Sequence, residues 1–129
     1  MVQRDDPDRG AAVVDFVLIM VLLVPLVLGI AQVALVLHVR NTLAAAASEG
    51  ARSAAPLGAT PADGAERTRT MIRTALDDRY ADDVAASLTT VGGAPGTEVE
   101  VRAQVPALGL FGPSVSLTVR GHAVREVEP

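Results

Sequence analysis

The sequence predicts an α+β protein: a long amino-terminal transmembrane helix that continues outside the membrane, a second short helix, and a small antiparallel β-sheet of about three strands. Three observations carry this prediction. Phe16 to Leu37 is a run of 22 residues without a formal charge. An apolar rhythm of three- and four-residue steps continues beyond it to about Tyr80. After Asp82-Asp83 the rhythm shortens to two.

The uncharged run fixes the first helix. At about 1.5 Å per residue it makes about 33 Å of helix, close to the hydrocarbon thickness of a bilayer. Gln32 is its only strongly polar residue. Pro25 and Gly29 would weaken a soluble helix, but membrane helices tolerate both. Pro25 removes one backbone hydrogen bond, which predicts a kink or loosened turn near residues 21–25. A cleavable secretory signal is the competing reading. Its apolar core usually has about 7 to 15 residues, shorter than this run, although Ala44 to Ala47 offers small residues for cleavage.

The helix is expected to start near Ala11 and to run to about Ala55. Past the apolar run, Val36, Val39, Leu43, Ala46 or Ala47 and Gly50 form a stripe of mostly small side chains. Small residues let another helix approach closely; the same stripe also fits a plain alanine-rich helix of high propensity. Glu49 and Arg52 are spaced to pair. Pro56 to Pro61 is a break. Thr60 then fits an N-cap, Pro61 the first helical position, and Asp63 the third residue after the cap. The second helix is expected over about Pro61 to Tyr80, with Ala65, Thr68, Ile72, Ala75, Leu76 and Tyr80 on one face. The arginines around Arg67, Arg69 and Arg73 read as a solvated surface, with anionic lipid the lesser alternative.

Val84 to Val91 is the first strand candidate, and Gly92 to Gly96 a turn. In Thr97 to Val105, residues Val99, Val101, Ala103 and Val105 face one way and Glu98, Glu100, Arg102 and Gln104 the other. Pro106 to Pro113, containing Leu108, Leu110 and Phe111, is a connecting loop. Ser114 to Arg125 alternates again, with Val115, Leu117, Val119 and Ala123 on one side. One greasy sheet face results, for the second helix or the outer part of the first to cover.

Composition excludes several functions. The net charge of −4 argues against non-specific nucleic-acid binding, which needs clustered positive charge. Phe16, Tyr80 and Phe111 are the only aromatics, too few for base stacking. There is no cysteine, hence neither a disulfide framework nor thiolate chemistry. His38 and His122 lie in separate elements and lack an i+3 or i+4 partner for a metal. Asp77-Asp78 and Asp82-Asp83 lack the alternating ligand loop of a calcium site. The Gly92–Gly96 run lacks the Lys-Ser/Thr of a phosphate loop, and Ser114 and Ser116 lack a nucleophile elbow. No catalytic residue, cofactor, metal or small-molecule substrate is expected.

The narrowest signal is Gly10 to Asp15, GAAVVD. A short charged leader precedes the glycine, and an acid follows it at five residues, at the edge of the apolar run. The organisation read from this is a leader over 1–10, a transmembrane helix over 11–37, and an α+β domain over 38–129. The stretch RGAAVVDFVLIMVLLVPLVLGIAQVALVLHVRN resembles the amino-terminal region of TadE-like proteins, the pseudopilins of tight-adherence (Flp-type) pilus systems. NTLAAAASEGARSAA, with Glu49-Gly50-Ala51-Arg52, is similar to their exposed helix, and LTVRGHAVRE, residues 117–126, to the tail of many members.

The resemblance implies cleavage after Gly10 by a membrane prepilin peptidase, with Ala11 as the new amino terminus. It places an acid and an aromatic at the fifth and sixth mature positions, Asp15 and Phe16, as assembly residues. The family usually has glutamate where this chain has Asp15, which keeps the charge but is one methylene shorter. The implied partners are the bilayer, the peptidase, other pilin or pseudopilin subunits and the assembly platform. The implied topology is a cytoplasmic amino terminus with the domain outside the bacterial cytoplasmic membrane. From spacing alone Asp15 also reads as a simple boundary marker, and the whole chain as a signal-anchored surface accessory domain.

Overall fold

In the computed structural model, residues 7–109 and 112–129 are described. The leader residues before Pro7, and Leu110 and Phe111 of the connecting loop, lie outside them. The order of elements is α1 (Pro7–Ser53), α2 (Pro61–Ala75), a 3-10 turn (Asp78–Ala81), β1 (Asp83–Val91), β2 (Ala94–Val105) and β3 (Val115–Val124). The expected α+β architecture is observed, with three antiparallel strands in the order β1-β2-β3.

α1 is one unbroken helix of 47 residues with Pro25 inside it. It begins before Ala11: Pro7 to Gly10, read from the sequence as part of the charged leader, are already helical. It ends two residues short of Ala55. Only its outer part enters a core. Val39, Leu43, Ala46, Ala47 and Gly50 are buried, as the small-residue stripe predicted; Val36 is only half-buried, and Ala51 joins the buried face.

Two partners use that stripe. α2 crosses it in the antiparallel sense, with Gly64 against Gly50 and Ala54, and Thr68 further back along α1. The Thr68 hydroxyl donates to the carbonyls of Gly64 and Ala46, at 2.9 and 3.3 Å. A side chain at Gly50 would strike Thr68 Oγ1 and the Gly64 carbonyl. On the other side, β3 lies so close that a β-carbon on Gly121 would strike the backbone of Ala47 and Ser48. The sheet's inner face supplies Val84, Val99, Val101, Val105 and Val119 to the same core, with Ile72 from α2 and Tyr80 from the 3-10 turn.

α2 starts where its capping signals predicted. Thr60 Oγ1 accepts from the Asp63 N–H, and the Asp63 carboxylate accepts from the Thr60 N–H at 2.7 Å, a reciprocal capping box. The helix stops at Ala75 rather than Tyr80. Leu76 turns extended, and the Asp77 carboxylate accepts from the Arg79 N–H to cap the separate 3-10 turn. Ala75 accordingly points to solvent, not into the apolar face. Arg69 departs from the solvated reading too: it donates to the Val84 carbonyl at 3.0 Å and ties α2 to β1.

The β1–β2 turn is tighter than expected. Gly92 and Gly93 alone make it, at φ of 57° and 86°, and Ala94 to Gly96 already belong to β2. Positive φ at both central residues is what a type I′ two-residue hairpin demands, and glycine meets it without strain. Inward and outward positions along β2 and β3 follow the alternation in the sequence, with Thr97 and Gly121 joining the inner face. The tail closes the domain: the Glu126 N–H donates to Ala55 O at 2.8 Å and Arg125 Nη2 to Ala59 O at 2.9 Å.

Replacing Gly121 by valine should destabilise the protein by about 2 kcal/mol or more, because the obstacle is backbone and cannot rotate away. Thermal unfolding of the detergent-solubilised protein measures this. Ser116→Val, on the exposed outer face, should stay within about 0.5 kcal/mol of the parent.

Candidate functional site

The four residues singled out from the sequence all lie on the inner half of α1, and all are exposed. Gly10 has open space around it: a β-carbon there would meet nothing within 4 Å. Ala11 and Asp15 are one turn apart on the same helix face. Phe16 follows, with 61% of its surface exposed. The fold does not gather these residues into a cleft, and among the described residues no cation pairs with Asp15.

The surroundings of that segment are informative. From Val13 to Ile30 the valines, leucines and isoleucines of α1 stand bare, Leu22 at 74% exposure. Soluble monomers rarely display continuous apolar surface beyond a few hundred Å². Among the described residues only the β2–β3 loop comes near this segment, at its outer end; the helix is long and apolar enough to cross a membrane, and its most apolar window is entirely unburied. Pro25 and Gly29 open a shallow groove beside Leu26, Ile30 and Val33.

The outer face of the sheet is the other concentration of charge. Glu98 stands opposite His122 across the β2–β3 ladder, and Glu100 opposite Arg120. Glu98 Oε2 is 2.6 Å from His122 Nε2, and Arg120 Nε donates to Glu100 at 2.6 Å. Arg102 flanks Glu100 from two residues along the same strand. The hydrogen bond from Arg120 holds the Glu100 carboxyl below its ordinary value, and it raises Arg120 in turn. The cluster pairs its own charges on an open surface. Among the described residues no group of acids, histidines or cysteines is placed to hold a metal, and His38 stands apart on α1.

Sequence reasoning nominated the processing and assembly candidates but missed, besides the bond from Arg69 to Val84, three contacts. Gly64 and Gly121 could have been found only as glycines inside regular elements, where a missing side chain marks a close approach. The third, Gln32, was visible as the single polar residue in an apolar run, but its partner was not.

This geometry defines a class: a folded α+β domain built onto the outer half of a helix whose inner half can cross a bilayer. Within that class, residues 10–52 match the family model described as TadE-like protein, which bears out the resemblance drawn from the sequence. The match begins at Gly10 and ends in the last turn of α1. TadE-like proteins are structural components of pili, not enzymes. No curated protein matches the chain, and no solved structure does.

The Glu100 pair makes stability depend on acidity. A lowered folded-state pKa means the contribution is complete above the ordinary value of 4.5 and is lost as the pH falls below it, through the folded value. Thermal unfolding followed from about pH 6 to about pH 3 should show a steeper decline for the parent than for Glu100→Gln.

Proposed function

We propose that the protein is a TadE-like minor pseudopilin, a single-pass protein of the bacterial cytoplasmic membrane. Its amino terminus is cytoplasmic and its α+β domain extracytoplasmic. It serves biogenesis of an Flp/Tad-type pilus, or of a related secretion assembly, by packing α1 with pilin-like subunits. It performs no catalysis. The observation that carries this reading is the bare inner half of α1, with an acid that has no cationic partner among the described residues a single turn beyond Ala11. The family match over the same helix supports it.

Each part has a physical basis. A glycine within a helix is less stable than alanine by about 1 kcal/mol, so the helix is locally weakened at Gly10. Its open surroundings admit a peptidase cleft to the backbone. Cleavage there creates an α-amine on Ala11, with a pKa of about 8 and so mostly charged at neutral pH. A carboxylate near the apolar phase is costly when unpaired, about 2.5–3.5 kcal/mol at a helix centre and less toward the interface. In a packed array, the amine of one subunit neutralises Asp15 of its neighbour. Phe16 beside it gives the contact apolar area.

Intact-mass analysis of membrane-extracted protein from cells with the cognate peptidase should show a chain beginning at Ala11. Gly10→Leu should insert normally and stay uncleaved. A chain beginning near Ala45 to Ser48 would overturn the proposal in favour of an ordinary signal peptide.

The assembly contact has its own test. Asp15→Ala and Asp15→Asn should be inserted and cleaved but crosslink to pilin-like partners about tenfold less, equivalent to a loss of about 1.4 kcal/mol. Asp15→Glu should crosslink at least as well as the parent. Cysteines introduced along residues 11–20 report the contact. Equal yields for all forms would reduce Asp15 to a boundary marker and leave an anchored accessory domain.

A further inference from the structure

Gln32 is the one strongly polar side chain of the apolar run, and the structure gives it a partner. Its Nε2 donates to the Pro106 carbonyl at 3.2 Å, and its Oε1 accepts from the Leu108 N–H at 2.8 Å. A side-chain amide carries one donor group and one acceptor, so it can match peptide backbone in both senses at once. The two bonds clip the β2–β3 loop to the helix across 74 and 76 residues of chain.

The level of the clip along α1 is the informative point. Gln32 lies five residues before Leu37, about 8 Å of helix inside the end of the uncharged run. The loop therefore reaches past Leu35 and Val36, which pack against the domain core, into the stretch apolar enough for hydrocarbon. Its own chemistry suits that level. From Val105 to Val119 the chain carries no formal charge. Leu108 is 45% exposed although its backbone is held. Pro106 and Pro113 have no N–H to leave unsatisfied. Between loop and helix runs a largely apolar groove of about 490 Å³, extending back to Pro25 between Leu28 and Gly29 on one wall and Ala107 and Leu108 on the other.

We infer that this loop lies in the outer interfacial layer of the bilayer, clipped to the anchor by Gln32, and that the groove beneath it takes a lipid acyl chain. The inference rests on the reading of α1 as a spanning helix, and it changes that reading's register. The lipid-spanning stretch becomes about Ala11 to Ala31, about 31 Å, which matches the hydrocarbon layer. A span ending at Leu37 would push irregular loop backbone into hydrocarbon, which does not tolerate open peptide groups. With the boundary at Gln32 those groups meet headgroups and water, while Leu108 dips into the acyl layer. The same shift seats Asp15 about one helical turn inside the opposite edge.

The chain has no cysteine, so single ones can be introduced and labelled with an environment-sensitive fluorophore. The full-length protein carrying Leu22→Cys, Leu88→Cys or Leu108→Cys is reconstituted into phosphatidylcholine vesicles containing lipids with nitroxides at shallow or deep chain positions. All three sites are exposed, so the substitutions leave the packing alone. The label at position 22 should be quenched most by deep nitroxides. The label at 108 should be quenched most by shallow ones, several-fold more than the label at 88, which should answer to aqueous iodide. Adding Gln32→Ala should lower the lipid quenching at 108; no change would overturn the clip. A label at 108 as open to iodide as that at 88, with position 22 still lipid-quenched, overturns the loop placement and spares the anchor. A label at 108 shielded from both lipid and iodide marks a protein neighbour in the groove and also overturns it. A label at 22 insensitive to lipid overturns the spanning helix itself.

Discussion

The contact of Gly121 with the backbone of Ala47 and Ser48 sets how deeply α1 lies across the sheet, and the rest of the domain is arranged around that depth. A helix usually rides on its side chains; here one strand and one helix meet main chain to main chain. Gly50 and Gly64 repeat the device on the neighbouring side, with Thr68 in the remaining space. The core that results is made of alanine and valine with few large residues. A small domain without disulfides has little apolar area to bury. Close approach compensates by giving each small side chain many neighbours. It also makes the outer part of α1 inseparable from the domain, since the buried face of the sheet has no other cover of comparable length.

α1 is thus two surfaces on one rod. Its outer half is consumed inside the chain: the small-residue stripe, which suggested close approach by another helix, is occupied by α2 and β3. Its inner half is untouched by the domain beyond the reach of the β2–β3 loop. The segment that matches the TadE-like model therefore supplies both the frame of the domain and a long bare apolar face. The charges on the outer sheet face pair among themselves and leave the anchor as the main unsatisfied surface of the described residues.

Much of this was legible because local chemistry and global packing agree. The uncharged run, the Thr60-Pro61-Asp63 cap and the alternation of Val99, Val101 and Val105 each specify one structure through nearest neighbours. The departures share a cause. The end of α2 depends on Asp77 choosing to cap a new turn, which competes closely with continuing the helix. Arg69 looks like any solvated arginine until Val84 arrives beside it, and Gln32 like a blemish in the span until the loop does. Sequence pattern reports which face a residue occupies; it does not report which distant backbone will meet it. For Asp15 and Gly10 the pattern was sufficient to nominate them, because the roles proposed for them rest on spacing along one helix and not on a folded pocket.

The continuity of α1 through Pro25 has a rotational consequence. On an ideal helix, Asp15 and Ala47 point within about 40° of one another about the axis. The compass bearing of the domain is therefore locked to the bearing of the acid. In the proposed assembly, neighbours gripping α1 on one side would also decide which way the sheet looks. One residue added to the bare stretch would turn the domain by about 100° and lift it by about 1.5 Å, changing the domain's heading far more than its height.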